Sequence, residues 1–108
     1  GLRLTAFDIL ENGCLNNRRE WAATGARVPD GICLNADGNI WVANAVSNEC
    51  VLFAPGGEVL EIVNTSQNCD ACMLGGTDDK TLFMLTAQSS HAPIAGASRA
   101  GKIEMAKV

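Results

Sequence analysis

Residues 28–45, VPDGICLNADGNIWVANA, decide the fold. Pro29-Asp30-Gly31 leads the chain into a short apolar run that ends at Leu34, and Asp37-Gly38 turns it into a second run, residues 40–43. An Asp-Gly pair between two strand-like segments is a strong short-range hairpin signal, and that accounts for Asp37. Asp30 is not explained this way. A carboxylate at the mouth of a strand is either an ordinary turn residue or part of a site.

Working outward, the same pattern returns. DGICL at residues 30–34 is echoed by DACML at 70–74, 40 residues on, and NIWVA at 39–43 by TLFML at 81–85, 42 residues on. In the other direction, VLFAPGGEVLEIV from Val51 is foreshadowed by LTAFDILENGCLNNRREWA from Leu4; Phe7 to Phe53 spans 46 residues and Gly13 to Gly57 spans 44. Helical periodicity is absent. Short apolar runs at 2–9, 18–23, 31–34, 40–43, 50–53, 58–63, 72–74, 82–86 and 102–108 alternate with Gly, Asp and Asn. A repeat of roughly 40–50 residues with four strands per unit is the signature of a β-propeller blade. The expected fold class is therefore all-β, a partial β-propeller forming one incomplete domain.

The repeats do not close a ring. Residues 1–23 hold the outer strands of one blade, 28–64 a complete blade and 69–108 most of a third. That is roughly two and a quarter blades, whereas propellers have about four to eight. Repeat units bury their faces only against neighbours, so the chain alone leaves two apolar blade faces uncovered. The remaining blades are expected from a companion chain or from homo-oligomer copies of this one. Residues 87–101, AQSSHAPIAGASRAG, make the one long irregular stretch and carry the single histidine, His91. Long loops of this kind tend to be functional.

Composition narrows the partners. A net charge of −4 without any Lys/Arg cluster argues against nucleic acid and anionic membrane. No apolar stretch reaches the ~20 residues of a membrane span, and no signal peptide is visible. Five cysteines, Cys14, Cys33, Cys50, Cys69 and Cys72, are an odd number and point to reduced thiols in a reducing, cytoplasmic compartment. Cys69 and Cys72 form a C-x-x-C without the second pair that a structural zinc site needs. They precede a strand-like run, whereas a redox pair would sit at the start of a helix, so the cysteines read as small buried apolar residues. Trp41 and Phe83 occupy matching repeat positions and read as packing between blades, with Trp21 doing the same. Arg18 and Arg19 read as outer-strand residues that serve solubility and ion pairing. Asp78-Asp79 aligns with the Asp37 turn and reads as a hairpin.

NRREWA, VPDGICLNADGNIWVA, CDACMLGGTDDKTLFMLTA and GKIEMAKV, in that order, resemble the C-terminal part of the gluconolactonase–regucalcin (senescence marker protein) family. The resemblance implies a six-bladed propeller hydrolase with one divalent metal at the top of the central channel, acting on sugar lactones or similar small esters. It implies that Asp30, in the Pro-Asp-Gly turn, is a metal ligand and a catalytic residue taking part in proton transfer. The metal expected is Ca²⁺, with Mg²⁺, Mn²⁺ or Zn²⁺ as alternatives. The family's other protein ligands, a Glu early in the first blade and an Asn in a middle blade, have no counterpart in this chain. Asp70, at the repeat-equivalent place, and His91, from the long loop, are the candidate substrate-binding residues. The plainer readings are a solvated turn aspartate and an exposed loop histidine. The competing function is a non-catalytic propeller piece that self-associates as a structural or interaction module.

Overall fold

The computed structural model describes residues 2–88 and 101–108. Nine strands form among them: β1 (Arg3–Ile9), β2 (Leu15–Ala23), β3 (Pro29–Leu34), β4 (Ile40–Asn44), β5 (Glu49–Phe53), β6 (Val59–Asn64), β7 (Asn68–Gly75), β8 (Thr81–Ala87) and β9 (Lys102–Lys107). They pair antiparallel in chain order into three sheets, β1-β2, β3-β4-β5-β6 and β7-β8-β9. Each expected run became a strand. β2 starts earlier than its apolar content suggests because the turn before it closes tightly, with Leu10 N–H donating to Cys14 O at 2.9 Å and Gly13 N–H to Leu10 O at 2.9 Å.

The hairpin between β3 and β4 is longer than a two-residue turn. Asn35 N–H donates to Asn39 O at 2.9 Å, and the Asn35 side-chain oxygen accepts from Asp37 N–H and Asn39 N–H at 3.0 and 2.9 Å. Gly38 sits at φ 83°, the left-handed position that such a loop reserves for glycine. In the β7–β8 turn Asp79 takes φ 55° and the Asp78 carboxylate accepts from Lys80 N–H at 3.0 Å, so this acidic pair is a hairpin device.

Side chains alternate across each strand, and the middle sheet is covered on both sides. On one side Cys33, Trp41 and Leu52 pack with Cys72, Leu82 and Met84 of the third sheet. On the other, Val42, Val51 and Phe53 pack with Leu4 and Ala22 of the first sheet, and half-buried Trp21 joins them. β4 and β5 are consequently buried along almost their whole length. Among the described residues the third sheet has no such second neighbour. Met73, Leu85, Ile103 and Met105 are all exposed on its far face, and Phe83, paired with both Met73 and Met105, lies half-buried among them. Phe83 thus holds Trp41's repeat position without Trp41's burial, because no sheet among the described residues covers it.

Four cysteines are buried at the junction of the second and third sheets, with Cys33 Sγ and Cys72 Sγ 3.9 Å apart. Cys14 departs from the expectation. It is exposed at the β1–β2 turn, where no second layer covers the hairpin. Arg19 pairs with Asp8 at 3.0 Å on the outer hairpin, as its position implies.

Candidate active site at the entry of two inner strands

β3 and β7 are the first strands of their sheets and pack against each other. The approach is close: a Cβ on Gly31 would lie 2.7 Å from Ala71 Cα and 3.2 Å from Asp70 O. Only glycine leaves room there, so Gly31 serves contact between strands and not a turn.

Both strands carry a bulge at this place. Pro29 pairs with Asn44 and Ile32 with Val42, so β3 uses one more residue than β4 over the interval that holds Asp30 and Gly31. Cys69 pairs with Thr86 and Ala71 with Leu85, which leaves Asp70 as the extra residue of β7. A bulge breaks the ladder and re-aims a side chain, and such irregularities recur beside active sites. The two aspartates matched by the sequence repeat are therefore both displaced from regular alternation, at the same end of adjacent strands.

Asp30 is exposed and Asp70 half-buried. Asp70 Oδ1 is shielded from solvent and has no hydrogen-bond partner among the described residues. Burial, reinforced by the nearby negative charge of Asp30, holds the Asp70 carboxyl above the ordinary carboxylate range. Beside it lies a shallow hollow of about 400 Å³, bordered by Asp70, Leu85, Thr86 and Lys102. A larger hollow, about 650 Å³, lies at the opposite hairpin end among Asn35, Asp37, Trp41 and Asp78. Asp78 is already engaged there by Lys107 at 3.2 Å. His91 lies outside the described residues.

Behind each aspartate stands a buried polar side chain that sequence reasoning passed over. Asn44 Oδ1 accepts from Val28 N–H at 3.2 Å and from Val46 N–H at 3.3 Å, while Asn44 Nδ2 donates to Glu49 Oε2 at 2.8 Å. Arg27 Nε donates to the same Glu49 oxygen at 2.8 Å. Thr86 Oγ1 donates to Glu104 Oε2 at 2.6 Å, and Gln67 Nε2 donates to Thr86 Oγ1 at 3.1 Å. Glu104 also accepts from Ser66 N–H at 3.0 Å and Ser66 Oγ at 2.8 Å. These bonds hold the Glu104 carboxyl below its ordinary range, the Thr86 hydroxyl contributing most. A signal was available: extended by one residue, the echoed runs become IWVAN (residues 40–44) and LFMLT (residues 82–86), each closing on a hydrogen-bonding side chain.

Residues 2–88 match the SMP-30/Gluconolactonase/LRE-like region. The chain belongs to this family. Among solved structures, a luciferin-regenerating enzyme superposes with a TM-score of 0.80 at 18% identity, over 99% of this chain and 38% of its own. A gluconolactonase from Xanthomonas campestris superposes with a TM-score of 0.64 at 25% identity, over 78% of this chain and 27% of its own. This SMP-30/gluconolactonase-type chain is thus all-β, a partial propeller that spans well under half the length of either neighbour. No helix among its described residues is long and apolar enough to cross a membrane.

Proposed function

We propose that this chain supplies part of the active site of a metal-dependent, lactonase-like hydrolase acting on sugar lactones or similar small esters. The observation that carries the reading is the convergence of Asp30 and Asp70 at matched bulges, with Asp70 Oδ1 buried and without a partner among the described residues. A shielded carboxylate oxygen with no donor among the described residues is costly, and it marks this end of the strands as a place for a polar partner from outside them. The all-oxygen donors suit a hard divalent ion such as Ca²⁺. Asp30 is the residue to hold it directly, and Asp70 lines the substrate side. Among the described residues no group of three or more His, Cys, Asp or Glu side chains is placed to hold an ion. Further ligands in this reading come from additional blades, in a companion chain or in copies of this one.

A divalent ion held by Asp30 and by ligands from further blades would supply Lewis acidity towards the lactone carbonyl and the attacking water. Asp30, exposed at the mouth of β3, accepts the proton of that water as the carbonyl is attacked. Asp70 borders the neighbouring hollow and so helps to orient the substrate ring. The apolar layer of Trp41, Leu82 and Met84 behind the strands keeps their spacing rigid.

The test is Ca²⁺-dependent hydrolysis of glucono-1,5-lactone followed by pH-stat, with wild type and Asp30→Asn compared in the assembled protein. The expected result is a loss of roughly 10²–10⁴-fold in rate with unchanged folding. Equal rates for the two proteins would overturn the reading.

A further inference from the structure

We infer that Asn44 sets the direction of the Asp30 carboxylate by clamping the peptide that precedes its bulge; the inference rests on the role proposed for Asp30.

The clamp works on Val28 from both sides. Its N–H donates to Asn44 Oδ1 at 3.2 Å, and its C=O accepts from Ala45 N–H at 3.1 Å. The next residue, Pro29, has no N–H, so Val28 offers the last backbone donor before Asp30. Pro29 itself pairs with Asn44 across the ladder. From there the chain enters the bulge, where no regular ladder bond fixes it. The direction in which Asp30 leaves the strand is therefore inherited from the Val28–Pro29 segment.

Asn44 suits this task because it cannot turn. It is 3% exposed, its oxygen is shared by two backbone N–H groups, and its amide nitrogen is tied to Glu49. Glu49 is in turn held by Arg27, the residue next to Val28. Side-chain amide and carboxylate thus fix two consecutive residues ahead of Asp30. Of its three bonds one reaches the strand entry at Val28, and the other two, to Val46 and Glu49, hold the side chain in place to make it.

The third sheet repeats the logic with different side chains. Thr86 lies opposite Cys69, next to the Asp70 bulge, and bonds Glu104. Glu104 then holds the backbone and hydroxyl of Ser66, just ahead of β7. In both sheets a second-strand polar group and a third-strand carboxylate grip the segment that delivers the first-strand aspartate. Two instances built from unlike residues, Asn and Thr, argue for a common role over chance packing.

The experiment uses two-dimensional NMR of the assembled protein, with Mn²⁺ alone as a paramagnetic probe. Wild type, Asn44→Ala and Val51→Ala are compared; Val51 is fully buried and its side chain takes no part in these hydrogen bonds, so its truncation serves as the stability control. Asn44→Ala is expected to shift the Asp30 and Gly31 amides, weaken the Gly31–Ala71 cross-strand NOE, and reduce Mn²⁺ affinity at Asp30 by at least about tenfold. Val51→Ala is expected to keep the NOE and the affinity at a similar fall in Tm. An Asn44→Ala protein with the wild-type NOE and wild-type Mn²⁺ affinity overturns the inference. If wild type itself shows no Mn²⁺ broadening at Asp30, the metal reading fails, and the amide shifts and NOE still decide the positioning role. Should Asn44→Ala not fold, Glu49→Ala, in the same relay but partly exposed, must show the same NOE loss or the inference is wrong.

Discussion

Gly31 and Ala71 meet backbone to backbone where two sheets of the propeller converge: a methyl group on Gly31 would stand 2.7 Å from Ala71 Cα. The obstacle is main chain, which cannot rotate away. Gly31→Ala should therefore cost about 1–3 kcal/mol, read as a fall in Tm of roughly 5–20 °C for a domain of this size. Gly38→Ala is the contrasting case. Nothing lies within 4 Å of its added methyl, and only the strain of φ +83° is felt, about 1 kcal/mol. If thermal denaturation ranks the two the other way, the close approach of β3 and β7 is not what requires glycine.

Trp41 and Phe83 test the open face. Trp41 is buried between sheets at 1% exposure, so Trp41→Ala should cost about 3–5 kcal/mol. Phe83, in the same repeat position but facing outward, should cost about 1 kcal/mol or less in this chain taken alone. Denaturant titration reads both. Equal losses would mean that something already covers the far face of the third sheet.

Two carboxylates should respond to acid in opposite directions. Asp70 binds its proton more tightly in the folded state, so ionising it costs stability above the unfolded value, and the cost disappears as pH falls. Glu104 is depressed by its Thr86 and Ser66 bonds, so it adds stability at neutral pH that is lost as pH drops through its folded value. At pH 7 Asp70→Asn should raise Tm by a few degrees and Glu104→Gln should lower it, with both differences shrinking towards about pH 3. Melting curves across that range check the signs; a stabilising Glu104→Gln would contradict the clamp on Ser66.

Thiol chemistry should separate one cysteine from the rest. Cys14 is exposed, while Cys33, Cys50, Cys69 and Cys72 are buried. A colorimetric disulfide reagent should titrate one thiol rapidly in the native protein and five after denaturation. Two or more fast thiols would show that the junction of the second and third sheets opens readily.

Much of this was legible in the linear chain. Alternation and turn residues marked every strand, and the echo of DGICL in DACML aligned Asp30 with Asp70 before any coordinates. The likeness of Asp78-Asp79 to the Asp37 turn was equally visible. What escaped was the structure behind the aspartates. A bulge leaves no reliable mark in composition, because it records how many residues face one another across a ladder. Asn44 follows the apolar run at 40–43 and drew no reading of its own, and only its four partners reveal its use.

Strand identity, repeat period and the pairing of the two aspartates followed from the order of residues, because alternation and turn chemistry act over a few neighbours and repetition is written along the chain. The tertiary structure decided which faces are covered, why Gly31 must lack a side chain, and how Asp70 comes to hold a buried oxygen without a donor among the described residues. Those outcomes depend on the distance between strands 40 residues apart, and distance across a sheet junction is set by packing, which no local pattern encodes.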